Sequence, residues 1–376
     1  MEEIKILIVE DDNDVINQYK RNFDTYNATN DSIKFSYDVN KEEKDAFKTL
    51  NSTMSDYDGA IVDLDLRNSN GEDKSGNDVI RKIKESFKFP VFVISGTTYN
   101  IDDNFKKSVL FQVVDRDNQD FDYIKEFIKI YDTGITKILG KKGEINSFLT
   151  KIFWEHLADS MKIWTEDDKH TSKEKQKSLL RYTLANMQEH LELNEKSDFE
   201  KYIPVEVYIK PPVNKHIFTG DLIMEIKTKK RYIVLTPSCD LAQTKTDKVL
   251  LVNVQNIEES DMQKSIDIVN KKGSKKNEVN NAKSKLINYI KNNKNKNHFI
   301  PPCSEKDIAG GLVNFQNLEC VSKIDADNKK LYERIASLNN CFVKDIIARF
   351  SQYYSRQGSP DFDNDYVLES LFENKN

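Results

Sequence analysis

The sequence predicts a doubly wound α/β domain, a helical connector and a β-rich domain with added helices, in that order. Three observations carry this reading. Over residues 1–132 short apolar runs alternate with amphipathic segments, the repeat that builds a parallel sheet covered by helices on both faces. Residues 133–198 keep only the helical period. From 199 to 358 short β-branched runs are separated by polar or Pro/Gly turns. The last residues, 359–376, read as an acidic tail or a short docking peptide. A chain of 376 residues is long enough for two or three domains that each bury a core.

The run IKILIVE (4–10) is nearly unbroken in apolar and β-branched residues, as expected of a strand covered on both faces. It leads into DNDVINQYKRNFDTY, where Val15, Ile16, Tyr19 and Phe23 fall at helical spacing and Asp12 or Asn13 can cap the helix. A strand over 33–39, a helix over 41–52, the strand GAIVDLDL (59–66) and a helix over 76–87 follow. Pro90 marks the turn into the strand VFVIS (91–95), and a weaker helix and the strand VLFQVVD (109–115) complete five strands. Further on, Tyr123, Ile124, Phe127, Ile128 and Tyr131 share one helical stripe. Two more helical stretches follow, with Gly134, Gly140 and Gly143 as breaks and Trp154 and Trp164 read as core. In the rear domain PVEVYI, DLIMEI, RYIVLT and VLLVNV read as short strands, interrupted by an insertion over 258–297. The closing helix, NNCFVKDIIARFSQYYSRQG, sets Phe350, Tyr353 and Tyr354 toward a core.

Composition excludes several classes. Hydrophobic residues at 38% argue for a folded chain, and 12 Gly and 8 Pro argue against fibrous or Pro/Gly-rich classes. No run approaches the roughly 18 apolar residues a membrane span needs, and MEEIKILIVEDD lacks the basic and apolar regions of a cleavable leader. The chain is therefore read as cytoplasmic, with no membrane partner. Cys239, Cys303, Cys320 and Cys341 are widely spaced without a CxxC, which suggests neither a zinc ribbon nor a disulfide framework. Charge is unevenly placed: residues 1–100 hold 20 acids against 13 bases, and the rest of the chain is close to neutral. Residues 270–297 hold nine Lys and one Glu. There Lys271, Lys272, Lys275 and Lys276 are candidate contacts to a nucleic-acid backbone or a partner, beside the plainer reading of a solvated insertion. No P-loop, GxGxxG or protein-kinase signature occurs, so chemical energy has to come from a partner.

In an open parallel sheet, functional groups collect beyond the carboxyl ends of the strands, where Glu10, Asp11, Asp12, Asp63, Asp65 and Ser95 all fall. Carboxylates clustered there suit a hard cation: Mg²⁺ takes one or two of them and completes its octahedral shell with water and phosphate oxygens. A cation beside Asp63 would offset the charge of an incoming phosphoryl group, with the Ser95 hydroxyl placed to hydrogen-bond it.

ILIVEDD, YDGAIVDLDL and PVFVISGT resemble, in order and spacing, the first, third and fourth strands of two-component response-regulator receiver domains. The resemblance covers roughly residues 1–130 and implies a flavodoxin-like receiver fold. It also implies an Mg²⁺-binding acid pair at Glu10 and Asp11, a phosphoacceptor at Asp63, a metal-binding backbone carbonyl at Asp65 and a switch hydroxyl at Ser95. The partner it implies is a histidine-kinase-like (GHKL) ATPase and, by association with such ATPases, the setting is a bacterial anti-phage system. Receivers carry a Lys at the end of strand five, where FQVVDRDN places Asp115. An anion there adds like-charge repulsion, which Arg116 or a bound Mg²⁺ would screen in part. The loop after strand three is lengthened by RNSNGEDKSG. Pseudo-receivers use this fold for docking without turnover, so a signalling adaptor is the reading adopted, with phosphoacceptance at Asp63 left open. A homo-oligomer is compatible with both.

RYIVLTPSCDLAQ (231–243) sets a thiol, hydroxyls and a carboxylate in one turn. A nucleophilic Cys239 needs a base, and nothing in the spacing brings His216 or His298 to it. In the structural reading Pro237 ends the strand, Ser238 and Asp240 satisfy turn amides, and Cys239 packs as a small apolar residue. Together with GDLIMEIKTKKRYIVLTP, this part also resembles, over a short stretch, the small SH3-like barrel of MazF/PemK-type growth-inhibitor toxins, which cleave RNA. That resemblance implies Arg231 and Thr236 at a scissile phosphate. The alternative function is then a receiver-controlled effector whose barrel binds or cleaves RNA.

Overall fold

Successive residues of β1 (Glu2–Val9) leave the strand on opposite faces. Ile4, Ile6 and Ile8 pack with Tyr19 and Phe23 of α1 (Asn13–Thr29) and with Phe127 and Ile130 of α4 (Tyr123–Tyr131). Leu7 and Val9 pack with Ala46 and Leu50 of α2 (Glu43–Asn51) and with Val79, Ile80 and Ile83 of α3 (Ser75–Ser86). Helices on both sides therefore demand an unbroken apolar strand, which is what this segment supplies. The computed structural model from which these contacts are taken describes residues 2–52, 56–66, 75–192, 201–243, 245–356 and 360–373. The chain divides into two units, Met1–Phe199 and Glu200–Asn376.

The other strands of the front unit are β2 (Ile33–Asn40), β3 (Gly59–Val62), β4 (Val91–Ser95) and β5 (Phe111–Asp115). They pair in the order β2-β1-β3-β4-β5, every pair parallel. This is the flavodoxin-like order, whose direction reverses between β1 and β3 and leaves a crevice at their carboxyl ends. Fully buried Phe92 and Phe127 stack with centroids 4.2 Å apart, tying β4 to α4.

One connection departs from the sequence reading. The helix expected between β4 and β5 is replaced by the short turn Thr98–Asn100 and by side-chain-bound turns. Asp102 accepts the N–H of Asn104 (2.9 Å), and Asn77 of α3 accepts the N–H of Asp102 (3.0 Å). Asn and Asp capture backbone amides in this way and so favour turns over helix. The lengthened loop after β3 falls largely on residues 67–74, outside the described residues.

After Gly134, which is left-handed at φ 76°, come α5 (Ile135–Leu139), α6 (Glu144–Ile152) and the helix Ser172–Glu192. The helical connector thus falls within the front unit. Trp164 packs edge-on against Tyr182, centroids 5.4 Å apart, and donates to Ser178. Trp154 does not join a core: it is 68% exposed. Helical spacing identifies an apolar stripe, but it does not decide which flanking residue of a wide stripe faces inward.

The rear unit contains β6 (Tyr208–Ile209), β7 (Asp221–Glu225), β8 (Arg231–Val234), β9 (Lys248–Gln255), β10 (Asn297–Ile300), β11 (Gly311–Ser322) and β12 (Tyr332–Leu338). They pair antiparallel in the order β10-β11-β9-β8-β7-β12-β6. An antiparallel sheet is thus present. The closing helix, Asn340–Ser355, packs Val343, Ile346, Phe350 and Tyr353 against the face carrying Leu222, Ile233, Val252 and Phe315, while Tyr354 stays exposed and donates to the Phe315 carbonyl (2.8 Å). The basic insertion folds as two helices, Asp261–Asn270 and Lys276–Ile290. Part of the tail, Asn364–Glu373, is an exposed helix. Among the described residues no helix is long and apolar enough to cross a membrane.

Gly76, in the first turn of α3, passes against the chain leaving β3. A Cβ there would lie 2.2 Å from the Asp63 carbonyl oxygen and 2.6 Å from the Leu64 Cα. Those are backbone atoms, so relief requires the strand end or the helix to move. Gly76→Ala is expected to cost about 1–3 kcal/mol of stability. Urea denaturation checks this, and an unchanged midpoint would count against the contact.

Candidate functional site

β1 and β3 run side by side with Val9 opposite Val62, so the residues that follow them share one rim. Glu10 continues the parity of Ile4, Ile6 and Ile8, and Asp63 continues that of Ile61, so both carboxylates leave toward the α1/α4 face. Glu10 is only 1% exposed and Asp63 3%. One carboxylate oxygen from each of Glu10, Asp11 and Asp63 lies within 4.8 Å of the other two. Asp12 is committed elsewhere: it accepts the N–H of Asp14 (2.8 Å) and caps α1.

A guanidinium completes the site. Arg116 Nη2 donates to Glu10 Oε2 at 2.9 Å and lies 3.2 Å from Asp63 Oδ1. Its backbone N–H donates to the Ser95 carbonyl at 3.1 Å. Ile94 is opposite Val114 across β4 and β5, which puts Val114 and Arg116 on the face shared by Glu10 and Asp63. Asp115, by contrast, does not enter the pocket. It is exposed, and its carboxylate accepts the N–H of Asp117 (3.0 Å). The repulsion expected from Asp115 is corrected accordingly: one step along the strand exchanges the anion for a cation. The alternating period of FQVVDR was the signal that would have placed Arg116 inside.

Ser95 is fully buried at the end of β4, with its Oγ 3.2 Å from the Thr97 hydroxyl. Thr97 in turn donates its hydroxyl to Asp65, so the Asp65 side chain is held at the rim, apart from the Glu10, Asp11 and Asp63 cluster.

Burial raises Asp63 above the usual carboxylate range; the Ser95 hydroxyl and then Arg116 pull it back in part, and Asp65 adds to the rise. Burial, then the charge of Asp63, pushes Glu10 up to about 7, against the opposing pull of Arg116 and the Asp12 N–H. Asp63 Oδ1 and Asp65 Oδ1 are buried without a hydrogen-bond donor, although Arg116 stands within ion-pair distance of the former. A buried acceptor left open is costly and marks a place for a further positive or donating group. Hard oxygen donors and an open oxygen fit a divalent cation held by Glu10, Asp11 and Asp63.

The rear candidates are not assembled in the same way. Arg231 is buried and donates to Asn256 (2.6 Å). Thr236 accepts the N–H of Leu250 (2.7 Å), and its carbonyl accepts the Thr219 hydroxyl (2.6 Å). Arg231 opens β8, Thr236 follows the end of that strand, and both are buried. Cys239 is exposed rather than packed, with its thiol 3.5 Å from Asp240 Oδ1. His216 and His298 stand beside Asp327 and Asp345, at 3.9 and 3.5 Å. Lys271, Lys272, Lys275 and Lys276 are all exposed where the two insertion helices meet.

No family model matches the chain, and no curated protein does. Among solved structures it is similar to the phosphorylated cyanobacterial phytochrome response regulator RcpA, at 18% identity and a TM-score of 0.24, over 36% of this chain and 94% of that one. It is also similar to a structure of two RcsB dimers bound to two parallel DNAs, at 13% identity and a TM-score of 0.25, over 50% of this chain and 98% of that one. The front unit itself is a flavodoxin-like α/β domain with an acidic site at the carboxyl ends of its strands.

The raised Glu10 carboxyl gives stability a definite sign of pH dependence. Its ordinary value is 4.5 and its folded value about 7, so between these the folded chain holds a proton that the unfolded chain releases. The contribution is complete below 4.5 and is lost as pH rises through about 7, a change on the order of 3 kcal/mol. In chelator-treated protein, stability is expected to fall from pH 5 to 8, and Glu10→Gln is expected to flatten that slope. Thermal melts across the range provide the check, and an equal slope in the variant would remove Glu10 as the cause.

Proposed function

We propose that this protein is a response-regulator-like signalling adaptor whose front unit accepts a phosphoryl group on Asp63. The observation that carries the reading is the meeting of Glu10, Asp11, Asp63 and Arg116 at the carboxyl ends of β1, β3 and β5. Asp63 is buried, and its Oδ1, 3.2 Å from Arg116 Nη2, accepts no hydrogen bond. Mg²⁺ held by Glu10, Asp11 and Asp63 would supply the positive charge that phosphoryl transfer requires. Burial raises the Asp63 carboxyl, and the buried Ser95 hydroxyl, joined by Arg116 in the ion-free site, favours its ionised form, the form that attacks phosphorus.

The phosphoryl donor has to lie outside this chain, because no nucleotide-binding signature is found in it. A histidine-kinase-like (GHKL) ATPase is the partner this reading takes, and the anti-phage setting follows from the resemblance of the N-terminal segments alone. The rear unit serves as the output module. Its exposed Lys271, Lys272, Lys275 and Lys276 offer a surface to a phosphate-bearing partner, nucleic acid included. The burial of both Arg231 and Thr236 weighs against the RNA-cleaving alternative.

Incubation with Mg²⁺ and acetyl phosphate, followed by intact-protein mass measurement, is expected to add one phosphoryl group to the wild-type chain and none to Asp63→Asn. No gain in either protein would reduce the front unit to a docking surface without turnover.

A further inference from the structure

We infer that Arg116 is a displaceable counter-ion: it fills the cation position of the acidic site when no divalent ion is bound, and arginine and ion exclude one another there. This rests on the reading of the site as a receiver-like cation pocket. Nη2 lies 2.9 Å from Glu10 Oε2 and 3.2 Å from Asp63 Oδ1, and these belong to two of the three carboxylates that cluster closely enough to share an ion. A cation bonded to both residues would meet the guanidinium at contact distance. Ion and guanidinium would therefore compete for the same two carboxylates, and like charges that close add repulsion to the competition.

The arginine is held in a way that permits release. Its grip is partial: Asp63 Oδ1 and Arg116 Nε are both buried without a hydrogen bond, so the two-pronged geometry that makes arginine–carboxylate pairs strong is not formed with Asp63. Its backbone is anchored independently, by the N–H to the Ser95 carbonyl. The side chain is 30% exposed and so has a way out. Asp115 and Asp117, on either side of it in sequence, are exposed carboxylates that can receive a guanidinium turned outward. Occupancy of the buried site is thereby converted into a rearrangement of charge on the surface where β5 ends.

Isothermal titration of the full chain with Mg²⁺ at pH 7.5 tests the exchange. Arg116→Gln is expected to bind the ion at least tenfold more tightly than wild type, and Arg116→Lys, which keeps the charge, is expected to stay near wild type. Equal or weaker binding by Arg116→Gln would overturn the inference, because it would make the arginine a resident of the occupied site. The wild-type chain gives a second readout that needs no substitution. The Arg116 Nε–H resonance should move and exchange faster with solvent as Mg²⁺ is added, and an unmoved resonance at saturating ion would also overturn it. If neither protein binds Mg²⁺, the exchange is refuted. Phosphoryl transfer to Asp63 in the mass experiment then shows whether the reading of the site falls with it.

Discussion

Two buried carboxylates facing a single guanidinium set the terms for the front unit. Glu10 and Asp63 are removed from water by the same packing that buries β1 and β3, and removing an ionised carboxylate from water is expensive unless a partner meets it. Arg116 meets both only in part. The outcome is a site that is compensated without being satisfied: Glu10 is driven toward neutrality, and an oxygen of Asp63 is left without a hydrogen bond. Rigid walls make this arrangement persist. The sheet ends cannot relax toward solvent while Gly76 lets α3 ride directly on the Asp63–Leu64 backbone.

The parts of the site differ in how far they could be read from the sequence. Glu10 and Asp63 were legible because each ends an apolar run, and an apolar run that stops at an acid marks a strand meeting the sheet's rim. The five parallel strands were legible for the same reason. Arg116 was seen only as a neighbour, because matching residues to a pattern assigned the position to Asp115, whereas Asp115 is exposed and the next residue reaches Glu10 and Asp63. The missing helix between β4 and β5 was hidden by a weak helical pattern, whose Asn and Asp side chains instead hold turn amides. Trp154 and Cys239 failed in one common way. Sequence character says that a residue can be buried, and burial itself is decided by which neighbours arrive.

The rear unit shows the opposite use of buried charge. Asp221 is fully buried and accepts from Ser337 (2.6 Å) and the Phe218 N–H (2.7 Å), with Arg334 Nη2 at 2.8 Å. Its demands are met by groups from β12 and from the turn before β7, which pins those segments together. Burial, followed by the nearby Arg349 charge, pushes His298 down to about 3, so it is neutral across the physiological range. These groups hold their places in the sheet and are poorly suited to change state.

Replacing the helix before β5 with side-chain-bound turns also has a consequence for solubility. β5 ends the sheet order, so one side of its backbone is not paired within the sheet, and the turn leading into it leaves Val109 and Leu110 exposed. An open strand edge beside apolar side chains is a template for unwanted strand addition. Asp115, Arg116 and Asp117 interrupt that edge with charge at the point where the strand ends. The exposed Asp115 and Asp117 beside the acidic site therefore also act as gatekeepers, and neutralising them together would be expected to promote aggregation.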